Sequence, residues 1–267
     1  MPRQQWHAPT GAEEKNMAKP LGFVLYQGPS LFDGRDVVVV ATLKSRNVKT
    51  ANVIQTWILA ADVAPNVAVR SGDDATVCGD CIFRSGNGCY VRVDNAPRSV
   101  WSAWKRGRYV DISGDLDAIA AVGADLTVRL GAYGDPVAVP EEIWSALVSR
   151  SRAHTGYTHA WRVAPRAFRS LVMASCDTEG DRVRASLRGF RTFRVSDGTD
   201  AARLRGEMTC PASAEAGHVR SCADCHACDG TRGEGLSTHD VTIRLHGALA
   251  SRARQAIARK RVVEVAS

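Results

Sequence analysis

The chain has 267 residues, a formal net charge of +7 and a pI of about 9.1, with 45% apolar and 24% charged residues. Its length suits one large domain or two small ones, and its composition is ordinary for a soluble globular protein. No apolar run of about eighteen residues occurs, so no segment is expected to span a membrane; the basic balance favours a polyanionic partner such as nucleic acid.

Residues 1–19 read as a mobile arm, because Pro2, Pro9, Gly11 and Glu13-Glu14-Lys15-Asn16 carry no periodic apolar pattern. The arm has no apolar signal-peptide core, so a reducing, cytoplasmic compartment is expected. From Leu21 the pattern changes. Residues 22–26 and 36–42 are short, β-branched apolar runs bounded by Gly and Asp, the mark of buried strands. Asn47 and Lys49 follow the second run and could hold a phosphate, and residues 53–59 suit either strand or helix.

Cys78-Gly-Asp-Cys81 comes next, with Cys89-Tyr90 beyond it, in a loop tightened by Gly79, Gly86 and Gly88. Asn95-Ala-Pro97 has the form of a helix start, with Asn as cap and Pro in the first turn. The helix it opens carries Trp101, Trp104, Lys105 and Arg108 on one face by i, i+3, i+4, i+7 spacing. Rings and cations together suit stacking and phosphate contact on nucleic acid, although tryptophans on one helical face more often belong to a core.

Helices are then expected over residues 115–122, 140–152, 165–169 and 179–187, with strands over 126–130, 156–159, 171–175, 190–195 and 240–245. A basic last helix over 247–260 carries Arg252, Arg254, Arg259 and Lys260, with Arg261 following. The alternation predicts an α/β fold with a parallel sheet and crossover helices. This is a complete or partial βα barrel with two cysteine-rich metal loops, or alternatively an open doubly wound sheet. The expected organisation is the arm, a single α/β domain over 20–260 that includes a cysteine clamp at 209–230, and a tail over 261–267.

The clamp consists of Cys210, Cys222, Cys225 and Cys228, whose CxxCxxC steps fold back tightly enough to converge on zinc or an iron–sulfur cluster. In a reducing compartment such cysteines are more often ligands than disulfides. Cys78, Cys81 and Cys89 supply three further ligands, leaving a fourth position for substrate, water, Cys176 or a histidine. Three ligands with an open position is the pattern of reactive zinc sites. It also resembles the open iron of radical S-adenosylmethionine enzymes, whose cysteine spacing differs. Residues just past strand carboxyl ends line the functional face of a parallel βα fold, which nominates Asp135, His159 and Asp177 as catalytic candidates. A capping Asp and a hydrogen-bonded structural His are the alternatives. P-loop, dinucleotide, HExxH and GxSxG patterns are absent, which argues against those chemistries.

Asn47-Val-Lys49-Thr50, the Cys78–Cys89-Tyr90 loop, Arg129-Leu-Gly-Ala-Tyr-Gly134-Asp135 and Tyr157-Thr158-His159 occur in that order. Gly189-Phe-Arg-Thr-Phe-Arg194, Cys210-Pro-Ala-Ser and Cys222–Cys228-Asp-Gly follow. This series resembles the cysteine-motif proteins of actinobacterial phages and plasmids, including those called gene product eighty-eight. The resemblance implies a mobile-element origin, a βα-barrel-like core and a metal site. A looser likeness to tRNA-guanine transglycosylases and their phage relatives implies an aspartate nucleophile and a late zinc site, with His239 or His246 able to replace Cys210. The expected function is action on nucleic acid in a bacterial host, as a base-modifying or base-exchanging transferase. The alternative is a non-catalytic nucleic-acid-binding protein whose metals only hold loops.

Overall fold

The apolar β-branched runs near the start of the domain become the centre of a sheet. In a computed structural model, which describes residues 20–43, 53–199, 203–217, 219–231 and 239–266, strands β1 (Gly22–Pro29), β2 (Asp36–Thr42) and β3 (Val53–Ala60) form an antiparallel meander. The N-terminal arm, Asn47 and Lys49 lie outside the described residues. Val37, Val38, Val39, Val40 and Ala41 are all buried, whichever face they point to. A strand covered on both faces reads as a continuous apolar run rather than an alternating one. Residues 53–59 are strand because β2 and β5 supply a hydrogen-bonding ladder on both sides of them.

Beyond β3 every pairing is parallel. The strands are β4 (Val110–Asp111), β5 (Thr127–Tyr133), β6 (Ala153–Thr158), β7 (Met173–Cys176), β8 (Thr192–Ser196), β9 (Glu207–Thr209) and β10 (Asp240–Arg244). They complete one ten-stranded sheet in the order β4-β1-β2-β3-β5-β6-β7-β8-β10-β9. Only β2 opposes the common direction. The carboxyl ends of the remaining strands therefore emerge along one edge, and the residues just after them are brought into one row. The molecule is a mixed α/β protein with a mostly parallel sheet.

Between β3 and β4 lie α1 (Pro65–Ser71), α2 (Ala75–Cys78) and α3 (Ala96–Lys105). Next is α4 (Leu116–Gly123), where Asp115 caps the helix by accepting from Ala118 N at 2.9 Å. It packs on α5 (Glu141–Val148) so closely that a Cβ on Gly123 would overlap the Leu147 carbonyl oxygen. α6 (Glu179–Leu187) is capped by Thr178, whose hydroxyl accepts from Asp181 N at 3.0 Å. A short α7 (Cys222–Cys225) and a long α8 (Ala250–Ala266) complete the set. Residues expected as a helix after Pro165 form a 3-10 turn, Arg166–Ser170. Among the described residues, no helix is long and apolar enough to cross a membrane.

One charged pair sits wholly inside the sheet. Arg194 on β8 reaches past β10 to Glu207 on β9, donating from Nε to Oε1 and from Nη2 to Oε2, each at 2.7 Å, and both side chains are fully buried. Burial alone would raise the Glu207 pKa, but the Arg194 hydrogen bonds outweigh it and hold the carboxyl below its ordinary range. This contribution is present above the unfolded-state glutamate pKa and is lost as pH falls through the folded value. Glu207→Gln should lower unfolding stability by about 3–5 kcal/mol, as expected when one partner of a buried pair is removed. Urea denaturation checks it, and a change under about 1 kcal/mol would contradict it.

Candidate metal centre at the strand carboxyl ends

Asp135 follows β5. The Gly134 before it has φ +81°, and a Cβ there would collide with Ile58. The sharp turn seats Asp135 N against Val77 O at 2.7 Å and buries the carboxylate. Oδ1 accepts from Val137 N at 3.0 Å and Thr158 Oγ1 at 2.7 Å, while Oδ2 accepts from His159 N at 2.8 Å and Ala160 N at 3.3 Å. The residue thus staples the turn after β5 to the turn after β6. Burial raises its carboxyl pKa despite these donors.

The cysteine loop grows out of α2. Buried Asp74 anchors it, accepting from Ser85 N at 2.6 Å, Ser85 Oγ at 3.0 Å and Arg84 Nη1 at 3.3 Å. Successive turns (Cys81 N to Cys78 O, Arg84 N to Cys81 O, Cys89 N to Phe83 O) fold the chain back on itself. Cys78, Cys81 and Cys89 consequently share one electrostatic environment. Burial, aided by the neighbouring sulfurs, raises the Cys78 thiol pKa well above normal, and burial pushes that of Cys89 up to about 11.

His159 and Asp177 follow β6 and β7. His159 Nε2 lies 3.3 Å from Asp177 Oδ1, its ring meets Phe83 edge-on at 5.6 Å between centroids, and Cys81 is among its electrostatic neighbours. Burial disfavours the charged ring, but Cys81 and Asp177 outweigh it and raise the His159 pKa well above the usual value. Lys260 Nζ, from α8, donates to Asp177 Oδ2 at 2.7 Å and also to Asp181 Oδ2. Asp181 further takes Arg162 and, at 3.1 Å, Arg184. Burial would raise both acids' pKa values; for Asp177, His159 and Lys260 outweigh it, for Asp181 chiefly Lys260, and both end below the ordinary range.

α8 lies over this assembly. Ala253, Ala256 and Ile257 are buried against Phe83, with Cys81, Ile82 and Cys89 packed beside them, and a Cβ on Gly88 would strike the backbone of Ala253. Arg261 Nη1 donates to Asp197 Oδ2 at 2.8 Å, just past β8, and Arg254 Nε donates to Asp197 O at 3.3 Å. Several cations of the basic last helix are therefore bound to strand-end acceptors of the same chain.

The sequence candidates fall into groups. Asp135, His159, Asp177 and the Cys78–Cys89 loop converge at one end of the sheet, through direct contacts or shared electrostatics. Cys176 is buried beneath them, and its electrostatic neighbours are Asp181, Asp177, Lys260 and Asp240. The clamp stands apart. Cys210 N donates to Thr242 O at 2.8 Å, Gly156 N donates to Cys228 O at 3.1 Å, and Arg191 holds Asp229 at 3.1 Å. Burial, with contributions from Cys210, Cys225 and Cys222, pushes the Cys228 thiol up to about 12. His239 is exposed, and His246 Nδ1 lies 2.7 Å from Arg244 O.

On α3, Trp101 Nε1 donates to Ala60 O at 2.9 Å. Trp101 and Trp104 pack partly into the core, and Lys105 Nζ lies 5.3 and 4.8 Å from their ring centroids. Arg108 is exposed. A cavity of about 520 Å³ beside the clamp is lined by Arg152, His154, Arg220 and His226 among others, and another of about 650 Å³ by Arg203, Arg205, Glu207 and His239 among others. Neither includes Asp135, His159 or Asp177.

Among the described residues, no three His, Cys, Asp or Glu side chains stand in a metal-holding arrangement. Both thiol groups are neighbours without being drawn in around a common point. Comparison with known families, curated proteins and solved structures finds no match.

Asp74, Asp181, Asp197 and Lys260 were not among the sequence candidates. The available signal was the Asp177-x-x-x-Asp181 spacing at a strand–helix junction, which calls for a cation. Lys260→Met should cost about 3–5 kcal/mol, because it strips the shared cation from two buried carboxylates. Their stabilising effect is present above the unfolded Asp pKa and lost as pH falls through the folded values. The variant, with those values raised, should lose stability at higher pH than wild type. Melting curves across an acid pH series check this; parallel profiles would contradict it.

Proposed function

We propose that the protein binds nucleic acid through the flank carrying α3, and that its two thiol loops hold structural metal ions. The observation that carries this is the distribution of engaged and free cations. Arg162, Arg184, Arg191, Arg194, Lys260 and Arg261 all sit on carboxylates. By contrast Arg98, Lys105, Arg106 and Arg108, on and just past α3, are exposed and form no ion pair among the described residues. These four cations lie together on and just past a helix whose tryptophans lie beside them. Unpaired arginines on and beside a helix suit phosphate, and this contact is independent of base sequence.

Thiolate-bound zinc or an iron–sulfur cluster would hold the Cys78–Cys89 loop and the Cys210–Cys228 clamp in place, supplying folding free energy rather than chemistry. The parallel run from β3 to β9 supports a partial-barrel form for the sheet. Base modification at Asp135 has weaker support, because both carboxylate oxygens are engaged and α8 covers the adjoining loop.

Fluorescence anisotropy with a labelled oligonucleotide tests the binding. Affinity should fall steeply as salt rises, through counterion release. The double variant Arg106→Glu, Arg108→Glu should weaken binding at least about tenfold and flatten the salt slope by roughly one for each phosphate the protein no longer neutralises. No binding at low salt, or an unaffected double variant, would contradict the proposal.

A further inference from the structure

We propose that the cavity of about 520 Å³ beside the clamp binds a small sugar phosphate of nucleotide size. The site is independent of the α3 surface and of any metal at the thiol loops. It lies at the amino end of β6, away from the strand ends that α8 covers. α5 is followed by a turn in which Ser151 N donates to Val148 O at 3.0 Å, and Arg152 N then donates to Leu126 O at 3.0 Å as the chain enters β6. The clamp docks on the same strand, with Gly156 N donating to Cys228 O at 3.1 Å. Arg152 and His154 therefore line the cavity from the start of β6, and Arg220, Asp224, His226 and Asp229 line it from the clamp segment.

Charge decides the class of ligand. Asp229 is answered by Arg191 at 3.1 Å. Arg152 donates to the Thr127 hydroxyl at 3.3 Å, and neither it nor Arg220 forms an ion pair among the described residues. Two guanidinium groups thus share the cavity with one uncompensated carboxylate, that of Asp224. The planar donor fork of arginine matches phosphate oxygens in pairs. His154 adds an unmet need, since its Nε2 is buried with no hydrogen-bond partner among the described residues. Buried polar nitrogens rarely go unpaired, so a partner from outside the chain is called for. Asp224 selects the rest of the ligand. Its Oδ2 accepts from Ser221 Oγ, while Oδ1 has no donor among the described residues. A carboxylate oxygen beside phosphate-binding groups suits a sugar hydroxyl, as an acid does for ribose in dinucleotide sites, and it repels a bare anion. The volume falls within the range of small-molecule sites.

Isothermal titration calorimetry of the full chain tests the site, with adenosine 5′-monophosphate, ribose 5-phosphate, adenosine, inorganic phosphate and succinate as probes. Both phosphorylated sugars should bind, adenosine should not, and inorganic phosphate should bind more weakly than either sugar phosphate. Arg220→Gln, at an exposed position, should weaken the phosphorylated sugars about tenfold with the melting temperature unchanged. Asp224→Ala, also exposed, should erase their advantage over inorganic phosphate. The double variant Arg106→Glu, Arg108→Glu should leave these affinities as they are, which separates the cavity from the α3 surface. No binding of either phosphorylated sugar, or binding indifferent to Arg220→Gln, would overturn the site. Inorganic phosphate or succinate binding as tightly as ribose 5-phosphate would overturn the ligand class. Loss of sugar-phosphate binding in the α3 double variant would move the contact to α3 and overturn the cavity.

Discussion

Asp177 and Asp181 are the constraint from which the carboxyl-end face follows. Both carboxylates are buried and close enough to share one ammonium group. Unpaired, each would cost several kcal/mol of desolvation, and together they would repel. Lys260 supplies the shared charge, His159 faces Asp177, and Arg162 and Arg184 complete Asp181. Since Lys260 belongs to the last helix, this electrostatic requirement fixes where α8 lies. Ala253, Ala256 and Ile257 then fall on the cysteine loop, and Arg261 falls on Asp197.

The edge of a parallel sheet that usually presents loops to a substrate is in this molecule occupied by a segment of the same chain. Asp135 joins two turns, and His159 and Asp177 join the loop to α8. These are the tasks of a structural hub, and a metal at the cysteine loop would reinforce them. On the flank, Arg98 on α3 and Arg106 and Arg108 just past it are exposed and form no ion pair among the described residues. The aromatic rings of α3 serve that surface from below: partly buried, they brace the helix against β3 and support Lys105.

Much of this was legible in the sequence. The valine run of β2, the Asn95-Ala-Pro97 helix start and the βα alternation after residue 110 each carried a strong local signal, and each formed the expected kind of element. The parallel sheet then placed Asp135, His159 and Asp177 at one end, since strand-end position is a property of topology. What the sequence did not show was long-range pairing. Nothing near Lys260 indicates that it meets acids some eighty residues earlier, so its charge added to an apparently basic surface. Arg194 and Glu207 likewise look like solvent-facing residues until β10 is inserted between their strands. Residues 53–59 needed neighbours on both sides before strand could be told from helix.

Hydrogen exchange on the full-length protein tests most directly the claim that α8 is an integral cover rather than an appended tail. The amides of Ala253, Ala256 and Ile257 should be protected together with those of the Cys81–Cys89 loop, the two segments opening as one cooperative unit. Exchange of α8 at the rate of an unstructured peptide, while β5 to β8 stay protected, would contradict the account.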